Sequence, residues 1–135
     1  MRTKPSLDLA DAEIIAAACR EAADKMGLKV SIAVVDDSGG LVLLLRLDGA
    51  RGFSVDIATR KARTAAALGV PTRILEERLG GRPLPLSDMM ILPGGVPVIS
   101  EGLAAGAVGV SGASAEDDDK IAEAGIRALQ AAPGS

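Results

Sequence analysis

The chain lacks the residue types on which several classes of function depend. Its 135 residues include one Phe and no Tyr, Trp or His. With a single aromatic side chain the protein lacks the series of rings that stack on exposed bases, a common device of single-strand nucleic-acid binding. Lys and Arg are scattered and the net charge is -3, so no nucleic-acid surface is predicted. Without His a zinc site is not expected, and we predict no metal site.

Long hydrophobic runs and cysteine pairs are also missing. The longest apolar segments, IIAAAC at 14–19 and LVLLL at 41–45, are far shorter than the roughly 20 residues that span a bilayer. The first residues contain no apolar segment typical of a signal peptide. The one Cys cannot form an internal disulfide, which is typical of a reducing compartment. We therefore expect a cytoplasmic protein that does not contact membranes.

Helices are predicted at both ends of a single domain that spans residues 1–135. The first runs from Asp8, the N-cap, to Met26, and its apolar face includes Cys19, which we assign to core packing. The last covers 114–131. Its acidic run, Glu116 to Asp119, lies at the positive end of the helix dipole and either stabilises the helix or forms a cation site.

Between these helices, KVSIAVVD and LVLLLRLD flank the turn DSGG and predict a β-hairpin. Arg46 and Asp48 lie on one face of its second strand, which is otherwise apolar. They form either a solvated strand end or a pair that contacts a ligand or a structural partner.

The segment 54–72 predicts a second helix, and Gly69 and Pro71 within it are the signals that end the helix. Lys61 falls inside its apolar arc and Thr64 lies at the edge of that arc. Because burial disfavours the charged form of a lysine, Lys61 is the clearest misfit in the sequence. A short helix, TRILEERL, follows, and then a loop over 80–90 with several apolar residues: Leu84, Leu86, Met89 and Met90.

The glycine-rich segment 91–114 lacks the Gly-Lys-Ser/Thr of a P-loop and predicts another hairpin, Val96–Ser100 with Leu103–Gly112. Period-two counting places four small residues on one face of the return strand: Ala105, Ala107, Gly109 and Ser111. Such a face admits either a ligand or a closely packed helix. The turn PGG, with Gly94 and Gly95, either presents amides to an anion or is an ordinary turn.

The order of four motifs resembles the GlcG/HbpS family, described as haem-degrading and also found as the C-terminal domain of PduO-type proteins. The motifs are SIAVVDDSGGLVLLLRLDGA, SVDIATRKARTAAALGVPT, LPGGVPV and GAVGVSGASAEDDDKIAEAGI. The resemblance implies a profilin-like α/β domain, with an antiparallel sheet of about five strands and helices on both faces. It also implies homo-oligomers.

Three functions follow from these residues and this resemblance. The first is a protein that binds an anionic organic ligand, haem or a carboxylic acid, with Lys61 and Arg46 on its carboxylates and the face around Gly109 admitting the ring. The second is an enzyme of small oxo- or hydroxy-acid catabolism, an isomerase, tautomerase or lyase.

In the enzyme hypothesis Lys61 is the general base or the attacking amine and Arg46 clamps a carboxylate. The amides of the PGG turn and the hydroxyls of Thr64 and Ser111 orient the substrate. The third function is purely structural: Lys61 pairs with Asp48 or with an acidic residue across an oligomer interface.

Haem is the cofactor that the resemblance implies, but two common axial ligands, His and Tyr, are missing from this chain. Met89 and Met90 are the remaining soft candidates, because Cys19 is assigned to the core. The identity of any cofactor is therefore left open.

Overall fold

The computed structural model describes residues 1–82 and 88–134, so Leu84 and Leu86 of the predicted apolar loop lie outside the described residues. Within these ranges the elements follow one another as α1 Leu9–Met26, β1 Ser31–Asp36, β2 Leu41–Arg46, α2 Ser54–Leu68, α3 Thr72–Leu79, β3 Gly95–Ser100, β4 Leu103–Ser111 and α4 Ala115–Ala131.

The helix boundaries follow from capping residues that the sequence makes visible. The Asp8 carboxylate accepts the Asp11 amide at 2.9 Å, and the Asp11 side chain accepts the Asp8 amide in return, which completes a capping box at the start of α1. Gly27 ends α1 in the left-handed conformation. At the start of α4, the Ser114 hydroxyl accepts the Asp117 amide. The predicted N-caps of both terminal helices are confirmed.

One antiparallel sheet carries the fold, with strand order β2-β1-β4-β3. Helices α1 and α4 cover one face, where Ile15, Val34, Val108 and Ile121 belong to the larger core. Helix α2 covers the other face. The predicted profilin-like α/β arrangement with helices on both faces is confirmed, although the described residues form four strands rather than about five.

Cys19 lies in the larger core and is fully buried, as its position on the apolar face of α1 predicts. Burial raises the pKa of its thiol to about 12. The thiol therefore stays protonated at neutral pH, where it packs as a small apolar side chain.

Helix α2 fills the clearance left by the small residues of β4. A Cβ added to Gly109 would collide with the carbonyl oxygen of Ala58 and lie 2.6 Å from the amide nitrogen of Ala62. Ala107 belongs to the same alanine-rich core beneath the helix. Of the two occupants that the sequence leaves open at this face, a helix is the one present over Gly109.

The period-two pattern of β4 is wrong at Ala105. The pairing of β3 with β4 shifts between Val98 and Ile99, leaving Ala105 without an opposite residue. This β-bulge turns Ala105 into the core on the α1–α4 side, whereas Ala107 faces α2. An extra residue in one strand moves side chains to the other face, which alternation alone cannot predict.

Candidate functional site

Lys61 extends from α2 to the start of α4, where it forms a buried ion pair. Its Nζ lies 3.1 Å from Oδ2 of Asp118 and 2.9 Å from the carbonyl oxygen of Val110. Both side chains of the pair are 3% exposed. The partner of Lys61 is Asp118 of the same chain rather than Asp48.

Asp118 connects this ion pair to the segment that follows β4. Its second oxygen, Oδ1, accepts the amide of Ala113 at 2.9 Å. Burial raises the pKa of the Asp118 carboxyl, and the charge of Lys61 and the Ala113 hydrogen bond oppose that rise only in part. The pair therefore ties α2, the end of β4 and the first turn of α4 to one another.

The PGG turn packs directly against this ion pair. A Cβ on Gly94 would lie 2.7 Å from the Val110 carbonyl oxygen and 2.9 Å from Nζ of Lys61. The amide of Gly95 donates to the Thr72 hydroxyl at 3.0 Å. The glycines of this turn thus allow close approach to Lys61, and the Gly95 amide already has a partner within the chain.

A second ion-pair group joins α3 to α4 beside the same turn. Arg73 lies 2.7 Å from Glu123 and 3.4 Å from Asp119. Burial raises the pKa of the Asp119 carboxyl, and the charge of Arg73 opposes this rise. Unlike the Lys61 pair, this group is partly open to solvent, since the Arg73 side chain is 40% exposed.

A cleft of about 410 Å³ opens at the N-terminal end of α2, and we call it the Ser111 cleft. Its lining residues come from the α1–β1 connection, the segment before α2 and the end of β4: Gly27, Leu28, Lys29, Gly49, Arg51, Phe53, Ser54, Ser111, Gly112 and Ala113. The lining includes two cations and no carboxylate.

Two serines, Ser54 and Ser111, belong to the lining of the Ser111 cleft. Ser31 and Ser54 lie 2.8 Å apart through their Oγ atoms, and Ser54 donates to the Arg51 carbonyl at 2.6 Å. Ser111 lies opposite Ser31 in the sheet. Its residue is 6% exposed, and within the described residues its hydroxyl has no hydrogen-bond partner. Ser111 therefore offers the cleft an unused donor and acceptor.

The start of α2 borders this cleft. Phe53 occupies the N-cap position without a side-chain capping bond, and Asp56 in the first turn places a negative charge near the positive end of the helix dipole. The Phe53 ring is the one aromatic group of the sequence and is 61% exposed at the cleft. The cleft thus combines positive charge, hydroxyl groups and one flat apolar surface.

The remaining candidate residues do not converge on one point. Arg46 lies near the Ser111 cleft but not in its lining, and its Nε donates to the Ala50 carbonyl at 3.0 Å. Asp48 is exposed in the turn after β2. Gly109 lies beneath α2, away from solvent.

Thr64 lines a different cleft of about 580 Å³, together with Arg60, Arg63 and Met89. The Thr64 hydroxyl accepts the Met90 amide at 3.0 Å and donates to the Arg60 carbonyl at 2.8 Å. Lys61 lines neither this cleft nor the Ser111 cleft.

Sequence reasoning missed Asp118, Lys29 and Arg51. Asp118 has a detectable signal, because it precedes Ile121, Ala122 and Gly125 at the spacing of one helix face, and all three are buried in α4. Lys29 and Arg51 have no such signal. They come together only through the folding of two separate loops around the end of β4.

The described ranges contain no group of three or more acidic, Cys or His residues placed to hold a metal ion. In the same ranges, no helix has the length and apolar character needed to cross a membrane.

The chain as a whole is similar to proteins of a known family. The family model "Haem degrading protein HbpS-like" matches residues 7–127. Protein GlcG of Escherichia coli K12 is 42% identical over 114 residues, which cover 82% of this chain and 85% of GlcG.

Solved structures show the same fold. A double mutant of HbpS from Streptomyces reticuli is 39% identical with a TM-score of 0.90, covering 96% of this chain and 90% of that one. A complex of PduOC with haem is 28% identical with a TM-score of 0.84, covering 91% of this chain and 94% of that one.

Proposed function

This chain belongs to the HbpS-like family, and on that premise we propose that it binds a small organic anion, haem or another carboxylic acid, in the Ser111 cleft. The observation that carries the proposal is the lining of that cleft, which brings the Ser111 hydroxyl, without a hydrogen-bond partner among the described residues, together with the cations Lys29 and Arg51 and with no carboxylate. A family member that binds haem, PduOC, supports an organic acid as the ligand class.

The residues of the cleft are of the types that bind a carboxylate attached to a planar ring system. Lys29 and Arg51 supply charge, and an arginine can bind both carboxylate oxygens at once. Ser111 donates a hydrogen bond from the inner side, and Phe53 offers a surface for the ring system. In this proposal Lys61 does not contact the ligand, because its amine is occupied by Asp118 and Val110.

Haem fits this cleft through its carboxylates rather than through its iron. The lining contains no His, Tyr, Met or Cys, so the described residues there supply none of the common axial ligands. Lys29 and Arg51 match the two propionates of haem in charge. The cleft therefore fits haem only as an organic acid.

The two cations of the cleft, Lys29 and Arg51, should each contribute to binding. Lys29→Gln and Arg51→Gln should each weaken the binding of haemin and of benzoate about tenfold or more, the usual loss when a charged hydrogen bond is removed. Ser111→Val, which fills the inner side of the cleft, should abolish binding. Haemin binding is followed by its Soret absorption, and benzoate binding by titration calorimetry.

Arg63→Gln is the matched control for these variants, because it removes one positive charge from α2 at the other cleft. Its affinities should stay within about twofold of the wild-type values, since Arg63 is exposed, lines a different cleft and is screened by salt. An equal loss in Arg63→Gln, or haemin and benzoate affinities unchanged in Ser111→Val, would contradict the proposed site.

We further propose that the chain forms a homo-oligomer through strand β2. This strand has β1 as its neighbour on one side and forms an edge of the sheet on the other. Its sequence LVLLLR is half-exposed along its length, and apolar edge strands tend to pair with another chain. An edge strand that pairs with its own copy gives a two-fold dimer.

Leu41→Lys should therefore reduce the molar mass measured by light scattering after gel filtration, since Leu41 lies on β2 and is 47% exposed. Leu68→Lys is the control, because Leu68 has a similar exposure, 44%, but lies at the end of α2 rather than on β2. A wild-type protein that is monomeric, or a loss of mass in Leu68→Lys alone, would contradict the β2 interface.

A further inference from the structure

We propose that the buried pair Lys61–Asp118 positions Ser111 and thereby sets the affinity of the Ser111 cleft for anions. This inference rests on the proposed function of that cleft. It assigns the pair the role of a positioning device, not of a ligand contact or a catalytic group.

The ion pair forms hydrogen bonds with the backbone on both sides of Ser111. Nζ of Lys61 donates to the carbonyl of Val110, the residue directly before Ser111, at 2.9 Å. Oδ1 of Asp118 accepts the amide of Ala113, just beyond Gly112, at 2.9 Å. Because the two side chains also bind each other at 3.1 Å, the segment from Val110 to Ala113 is held by one connected set of bonds.

These hydrogen bonds hold the end of β4 on the side where β3 no longer pairs with it. On one side, Ser111 pairs with Ser31 of β1. On the other side, β3 begins at Gly95, whose opposite residue is Gly109, so it does not pair with Ser111. The Val110 carbonyl consequently accepts a hydrogen bond from Lys61 at the point where strand pairing with β3 ends.

The packing around the amine leaves little freedom. A Cβ on Gly94 would approach Nζ of Lys61 to 2.9 Å, and the Val110 amide donates to the Gly94 carbonyl at 2.9 Å. The amine is therefore enclosed by the PGG turn, the Val110 carbonyl and Asp118.

An apolar pair of similar volume could fill the same space, often without loss of stability. It could not bind the Val110 carbonyl or the Ala113 amide. The ionic pair thus supplies what an apolar pair lacks, a defined position for the inner wall of the cleft: Ser111, Gly112 and Ala113.

The test is the double variant Lys61→Met/Asp118→Leu, which removes both charges together and keeps the space filled. We expect a folded protein whose dissociation constants for haemin and benzoate rise about tenfold, the equivalent of one misplaced hydrogen bond. Hydrogen exchange of the Ser111 and Ala113 amides should accelerate at the same time. Asp118→Asn keeps an oxygen for the Ala113 amide and should therefore raise the dissociation constants less.

The double variant Arg73→Met/Glu123→Gln is the control, because it removes the neighbouring α3–α4 ion pair, which has no bond to residues 110–113. Its affinity and its exchange at Ser111 and Ala113 should be unchanged. Unchanged exchange at these amides in Lys61→Met/Asp118→Leu would overturn the positioning role, whatever the ligand. If the wild-type protein binds neither haemin nor benzoate, the proposed function fails, and the exchange data decide the positioning role by themselves.

Discussion

Gly109→Ala is expected to lower the free energy of unfolding by about 3 kcal/mol, the upper range of overpacking in a core. The added methyl group would collide with the Ala58 carbonyl and lie 2.6 Å from the Ala62 amide nitrogen. Both are backbone atoms of α2, so no side chain can rotate away, and the helix must move off the sheet. Urea denaturation of the two proteins measures the loss.

Gly52→Ala is the control for this substitution. A Cβ at Gly52 meets only the tip of the Arg46 side chain, at 3.9 Å. We expect a change within about 1 kcal/mol, with the sign set by the reduced entropy of the unfolded chain. Equal free energies of unfolding for Gly109→Ala and Gly52→Ala would contradict the close packing of the α2 backbone against Gly109.

Lys61→Met should cost about 3–5 kcal/mol, because it leaves the carboxylate of Asp118 buried without its partner. The side chain of Asp118 is 3% exposed, so water cannot take the place of the amine. Lys61→Met/Asp118→Leu should recover a large part of that loss, since no unpaired charge remains. Thermal and urea unfolding of the single and double variants give the coupling energy of the pair.

Arg73→Met provides the comparison for an ion pair in contact with water. The Arg73 side chain is 40% exposed, and such pairs contribute about 1 kcal/mol or less. A Lys61→Met protein as stable as Arg73→Met would show that the Lys61–Asp118 pair is not buried as described. A double variant less stable than Lys61→Met would contradict the ionic coupling itself.

The fold was largely predictable because its signals are local or carried by a resemblance. Capping residues define α1 and α4, and turn residues define both hairpins. The bulge at Ala105 was not predictable, because it depends on the pairing of β3 with β4 rather than on the sequence of either strand.

The small-residue face of β4 shows why a site is harder to predict than a fold. Glycine at 109 signals close approach, but helix and ligand both require the same clearance. Whether a helix or a ligand fills this space depends on where α2 packs, and that position is set by the tertiary structure. The structure places the backbone of α2 over Gly109 and leaves Ser111, next on the same face, at the edge of a cleft.

Lys61 stands out in the sequence because a charge interrupts an apolar arc. Its partner does not, since Asp118 belongs to an acidic run at the start of α4 that is explained by the helix dipole. Only the inward spacing of Asp118 with Ile121 and Ala122 distinguishes it from its neighbours. The sequence therefore predicts that Lys61 is a buried charge, but it does not identify Asp118 as its partner.

The binding of an organic anion in the Ser111 cleft is tested most directly by mapping amide chemical shifts while haemin or benzoate is added to the wild-type protein. We expect the largest changes on Lys29, Arg51, Phe53 and the segment 111–113, which are among the residues that line the cleft. Changes confined to the cleft around Arg60 and Thr64, or no changes with either compound, would contradict binding in the Ser111 cleft.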